Sequence, residues 1–253
     1  MIFLYRLLPF GAAVFTAVGF WLQLQYPFQY PWIVIVGAVF LPLSSFLIAR
    51  GRVRAVDFLE KMLPTFIFIA TLIFALLLTE GALGRYIIIV LAMIAVYLSL
   101  ELLFLYAFMP PKYPVHGLSR VNIAYVPFII FYATSTSVGL MTFVHISYWM
   151  HIVLMVFMGL VLFRTTGHPE ATREQNLRWM TIGALVGLHL GFLGVVLPLN
   201  MFAQGAIAML IFAGVLRLRR YLYHPLPGKI QAWMEGVATV VFLVTIVVTA
   251  RWL

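Results

Sequence analysis

Apolar runs long enough to cross a bilayer recur about nine times along this sequence, separated only by short polar connections, and few folds tolerate that pattern. A hydrocarbon core of about 30 Å takes roughly 20 apolar residues in helical form. The runs fall at 7–24, 32–49, 64–78, 86–108, 121–143, 147–163, 179–197, 201–216 and 230–253. The expected fold is therefore all-α, a polytopic transmembrane helix bundle of about nine spans forming a single integral membrane domain over 1–253.

Composition agrees. The chain is 64% hydrophobic and 9% charged, with a mean hydropathy of +1.09, where soluble chains average about 45–50% apolar and about 25% charged. No polar segment is long enough for a soluble domain. The net charge of +9 would point to nucleic acid in a soluble protein. Here the basic residues sit in the connections and set membrane orientation instead, so no nucleic-acid partner is expected. The absence of cysteine excludes disulfides, thiol catalysis and iron–sulfur ligation. The first run follows Arg6 and lacks a small-x-small cleavage site, so it reads as a retained span rather than a signal peptide.

Assigning the connections alternately to two sides leaves only Arg85 and Arg251, of sixteen Lys and Arg residues, on the second side. Cytoplasmic connections are the basic ones. The N-terminus is thus expected in the cytoplasm and the C-terminus outside, in a prokaryotic inner membrane. Tyr26, Tyr30, Trp32, Tyr148, Trp149 and Trp252 then fall on the outer side, as an interfacial aromatic belt requires.

Local signals refine the partition. Pro42 should bend the second span by breaking the bond to the Ala38 carbonyl, with Ser44 and Ser45 satisfying freed groups. Residues 50–62 read as a short interfacial helix carrying an Asp57–Lys61 pair. Pro127 falls early in the fifth span. Thr172 and Gln175 fit a capping box, and Pro169 suits a first helical turn, so a helix should begin there and run straight into the seventh span. Pro198 should end that helix and Asn200 should cap the next.

The seventh span is the most patterned. Gly183, Gly187 and Gly191 recur every fourth residue, and Gly194 falls in the same arc, leaving one face without side chains. Such grooves are a main source of helix association in lipid. His189 lies about 200° around from that arc. An ionisable ring is costly to expose to lipid, so both faces are expected to meet protein.

Polar residues inside spans mark candidate chemistry. Glu101 lies in the inner half of the fourth span, with Tyr97 one turn before it and Ser99 nearby. It is a candidate proton- or cation-coupling carboxylate, with His189 as a relay; the alternative is a protonated Glu101 bonded to a hydroxyl or carbonyl. Glu235 lies about one and a half turns into the ninth span. The hydroxyl run of Thr134, Ser135, Thr136 and Ser137 lines a polar path or bonds to its own helix. His145 and His151 flank the outer end of the sixth span but are about 240° apart on a helix, so they form no chelating pair. His116, His168 and His224 fall in connections, where solvation is the default. Met150, Met155 and Met158 read as adaptable packing.

No phosphate-binding glycine loop, HExxH, GxSxG or paired-Asp motif is present, and the chain has a single aspartate, Asp57. No metal, cofactor or catalytic residue is expected. The basic connections suit anionic lipid head groups. Three readings follow: a small permease-like protein handling a solute or lipid, proton-coupled through Glu101; a non-catalytic scaffold subunit with protein partners; and a lipid-modifying membrane enzyme.

Overall fold

The computed structural model describes residues 2–114, 116–166, 172–221 and 229–249, and these are all-helical, with no strand among them. The α-helices in chain order are α1 Ile2–Gln25, α2 Tyr30–Ala49, α3 Ala55–Leu78, α4 Ala82–Phe108, α5 Gly117–Val144, α6 Tyr148–Thr165, α7 Arg173–Val196, α8 Met201–Tyr221 and α9 Lys229–Thr249. Seven of them, α1 and α3 to α8, are long and apolar enough to cross a membrane; α2 and α9 contain shorter apolar stretches, Val34–Ala49 and Gly236–Ile246. The protein is an integral, multi-pass membrane protein.

Several helices outrun their apolar stretches, because a helix propagates until its ends are capped rather than until hydropathy falls. At α7 the capping box is present: the Gln175 N–H donates to Thr172 Oγ1 at 3.2 Å and the Thr172 N–H to Gln175 Oε1 at 2.9 Å. The helix therefore starts at Arg173, well before the apolar run. Pro169 lies outside the described residues. The helix stops at Val196, just before Pro198. The Ala203 N–H then donates to Asn200 Oδ1 at 2.9 Å, capping α8.

Four expectations are corrected. The interfacial segment is not a separate helix, since α3 runs unbroken from Ala55 through a buried Pro64. Lys61 does not pair with Asp57 among the described residues; its ammonium lies 5.0 Å from the Tyr106 ring centroid. The last basic connection begins later than Arg217, because α8 continues to Tyr221. In α2, Ser44 and Ser45 donate to the Phe40 and Pro42 carbonyls, each at 2.8 Å. Those are not the carbonyl freed by Pro42.

The helices form two compact units, 1–125 and 126–253. In unit 1, α1 packs mainly on α4, and α2 and α3 complete the group. Leu72, Ala92, Val96, Leu100, Leu103 and Phe104 are buried at its centre. A closed polar chain crosses that core. Thr65 Oγ1 donates to Ser99 Oγ at 2.8 Å, Ser99 Oγ lies 3.2 Å from the Tyr125 hydroxyl, and that hydroxyl donates to the Ala95 carbonyl at 3.1 Å. In unit 2, α6 and α7 pack antiparallel and tightly, with α8 beside α7 and α9 on α8. Ile129, Ile130, Leu162, Phe163 and Phe212 are fully buried there.

Candidate functional site: a polar cluster in unit 2

The α6–α7 seam decides where polar groups can sit. A Cβ added at Gly183 would overlap the Gly159 carbonyl oxygen, and one at Gly187 would overlap that of Met155. At Gly191 it would fall 2.9 Å from Ile152 Cα, and at Gly194 it would overlap His151 Nε2. The glycine arc of α7 therefore lies backbone to backbone on α6, a contact no larger residue permits. Its last member makes room for an imidazole.

His151 is fully buried. Its Nδ1 lies 2.7 Å from Ser137 Oγ, which is also 2.7 Å from the Ala133 carbonyl and 3.1 Å from that of Thr134. Carbonyls only accept, so the serine proton goes to one of them and Ser137 Oγ accepts from Nδ1–H. In the neutral ring this leaves the lone pair on Nε2. That atom is buried without a hydrogen-bond partner among the described residues.

Other groups converge from α5 and α8. Gln204 donates both amide hydrogens, to the Leu197 carbonyl at 2.8 Å and the Leu199 carbonyl at 3.0 Å, satisfying the turn around Pro198. Its Oε1 is left buried and, among the described residues, unpartnered, as are the hydroxyls of Ser135 and Thr136. Thr134 makes only a weak 3.5 Å contact to Met155 Sδ. A Cβ at Gly205 would overlap Ser135 Oγ and come 2.7 Å from the Phe131 carbonyl, so α5 and α8 are also in close contact. A cavity with room for roughly one water molecule is lined by Thr134, Gly194, Gln204, Leu190, Leu193 and Leu197, among others. The cluster holds no carboxylate, lysine or arginine, and with a neutral imidazole two of its members, His151 Nε2 and Gln204 Oε1, are acceptors.

No protein-family model, curated protein or solved structure matches this chain. Its function has to be argued from these groups.

Of the residues singled out by sequence, Thr134 and Ser137 enter the cluster and His189 does not. His189 is exposed on the far side of α7, with Nδ1 2.7 Å from the Leu185 carbonyl one turn back. Ile182, Leu185 and Phe192 are exposed with it, so among the described residues protein covers the glycine side of this helix and leaves the His189 side open, correcting the expectation for both faces. The bond to Leu185 removes part of the cost of exposure, because that carbonyl takes the ring N–H. Glu101 is half-buried in unit 1 and makes no hydrogen bond or ion pair among the described residues. Tyr97 is exposed, and Ser99 belongs to the closed hydroxyl chain. The side chain of Glu235, with His168, His224, Arg251 and Trp252, lies outside the described residues. His116 and His145 are exposed. No group of three metal-ligating side chains occurs among the described residues.

Sequence reasoning missed Gln204 and Arg219 and passed over His151. An amide inside an apolar run was the available signal for Gln204. Arg219 continues the buried stripe of Gly205, Ala208 and Phe212 at helical spacing. Only 4% exposed, it donates to the Phe163 carbonyl at 2.8 Å and to Asn176 Oδ1 at 3.2 Å. Its guanidinium also lies 5.4 Å from the Trp179 ring centroid. It ties the end of α8 to the last turn of α6, where a helix terminus favours a cation.

Proposed function

We propose that this protein is a permease-like membrane protein whose pathway for a small, hydrogen-bond-donating solute runs through the polar cluster of unit 2. The observation that carries the reading is a pair of buried acceptors without partners among the described residues, Gln204 Oε1 on a water-sized cavity and His151 Nε2 against Gly194, which lines the same cavity. Each acceptor left unmade costs about 1–3 kcal/mol. A bundle that only holds partners gains nothing from that cost, whereas a pathway needs groups that a passing donor satisfies and then leaves. The nine-span topology, with the N-terminus cytoplasmic and the C-terminus outside in a prokaryotic inner membrane, belongs to the same proposal and is supported by the segregation of the basic residues.

The lipid-modifying enzyme reading has one specific candidate, the Ser137–His151 pair. Its polarity argues against it: a nucleophilic serine gives its proton to the imidazole, whereas Ser137 gives it to a carbonyl of its own helix. The scaffold reading draws on Gly11 and Gly19, which have open space around them on α1.

Reconstitution tests the proposal. Proteoliposomes containing a luminal pH dye are challenged with ammonium and methylammonium, and with urea and glycerol by light scattering. At least one solute should cross about tenfold faster than in protein-free vesicles, and Thr134→Val should remove most of the gain. Coupling at Glu101 is the finer part; Glu101→Gln should abolish any dependence of the flux on a pH gradient. Rates equal to protein-free vesicles for all four solutes, with a partner protein retained through purification, would establish the scaffold reading instead.

A further inference from the structure

One end of unit 1 gathers cations without gathering as many acids. There Arg52, between α2 and α3, lies with its guanidinium carbon 4.1 Å from the Phe108 ring centroid at the end of α4. Lys61 of α3 lies over Tyr106 of the same helix, and Asn122 of α5 donates to the Lys61 carbonyl at 2.9 Å. These contacts bring four helix ends together. Arg50, Arg54, Lys112 and Arg120 are exposed around them. The acids of the neighbourhood are Asp57 and Glu60 at the start of α3, with Glu101 two turns up α4.

Depth distinguishes this cluster from an ordinary solvated face. The 27 residues of α4 make a rod of about 40 Å, against a hydrocarbon core of about 30 Å. Centred on that core, the rod carries its last turn, with Tyr106 and Phe108, into the headgroup layer. The rings hold Arg52 and Lys61 at that depth, and a cation over a ring face keeps its edge N–H groups available to an anion. Tyr113 completes the aromatic wall, its ring 5.2 Å from that of Tyr106 and its hydroxyl accepting from the Leu118 N–H at 2.9 Å. Burial raises its phenol above the ordinary 10.0, so it brings no negative charge here at neutral pH.

We infer that this end of unit 1 is a binding site for the head group of an anionic phospholipid, with Arg52 and Lys61 as its phosphate donors. The inference needs only that the protein is embedded in a membrane and stands apart from the transport reading. A basic residue near an anionic surface strengthens association about fivefold, so the pair accounts for roughly twenty-five-fold.

The test uses the full chain in phosphatidylcholine nanodiscs with spin-labelled phosphatidylglycerol or phosphatidylcholine as probe. The motionally restricted fraction should favour phosphatidylglycerol, and Arg52→Gln with Lys61→Gln should reduce that preference by roughly an order of magnitude. Swapping the cations, Arg52→Lys with Lys61→Arg, should retain most of it, which separates lost charge from lost fold. Arg85→Gln, at the opposite end of unit 1, should change nothing. Equal restriction of the two lipids by the wild-type protein would overturn the site. So would an equal loss in Arg85→Gln, which would mean unlocalised charge, or displacement of the lipid by millimolar glycerol phosphate, which would mean a soluble anion.

Discussion

Two histidines in the membrane have opposite surroundings, and the difference lies in what each can bond. His189 gives its Nδ1–H to its own helix and faces outward, whereas His151 on α6 is buried against α5 and α7, with Nε2 unpartnered among the described residues. His189→Leu is expected to change thermal stability in detergent by less than about 0.5 kcal/mol, as for a substitution away from buried networks. Thr134→Val should be close to neutral as well, since the hydroxyl makes only a weak sulfur contact, while flux falls. Loss of fold by Thr134→Val, monitored by circular dichroism, would make Thr134 a packing residue. At the seam, Gly187→Val is expected to cost at least about 1–3 kcal/mol through overpacking, whereas Gly11→Ala, with nothing within 4 Å, should cost nothing measurable.

The elements themselves were legible from hydropathy, and their ends were not. Among the described residues a helix falls on each expected run, and seven of these helices are long and apolar enough to cross a membrane, where the backbone must bond to itself. The starts of α3 and α7 and the end of α8 lie in polar sequence, where capping and tertiary bonds decide. The capping box of α7 could be read from Thr172 and Gln175 because it is local. The end of α8 could not, because Arg219 is held by Phe163 and Asn176, far away in the chain. The same limit hid the cluster: the hydroxyl run was visible, but its meeting with His151 and Gln204 depends on three helix contacts. Arg219→Met should lower the melting temperature in detergent, with a loss of roughly 2–4 kcal/mol from orphaned partners. Arg219→Lys should fall between, keeping the charge without the planar fork.

At the scale of the whole molecule the account makes two claims, a threading and a pathway. Alternation of nine spans predicts that fusions at the two termini report opposite sides of the membrane, and both on one side would remove a span from the count. The pathway is the more demanding claim, and a chain without cysteine makes it directly measurable. Single cysteines at Thr134 and, as a control in the closed hydroxyl chain of unit 1, at Ser99 would be exposed in membrane vesicles to a charged, membrane-impermeant thiol reagent. The account predicts that Thr134→Cys is modified and Ser99→Cys is not. A Thr134→Cys that reacts only with a lipid-soluble reagent, like the control, would show the cluster to be dry and would contradict the pathway.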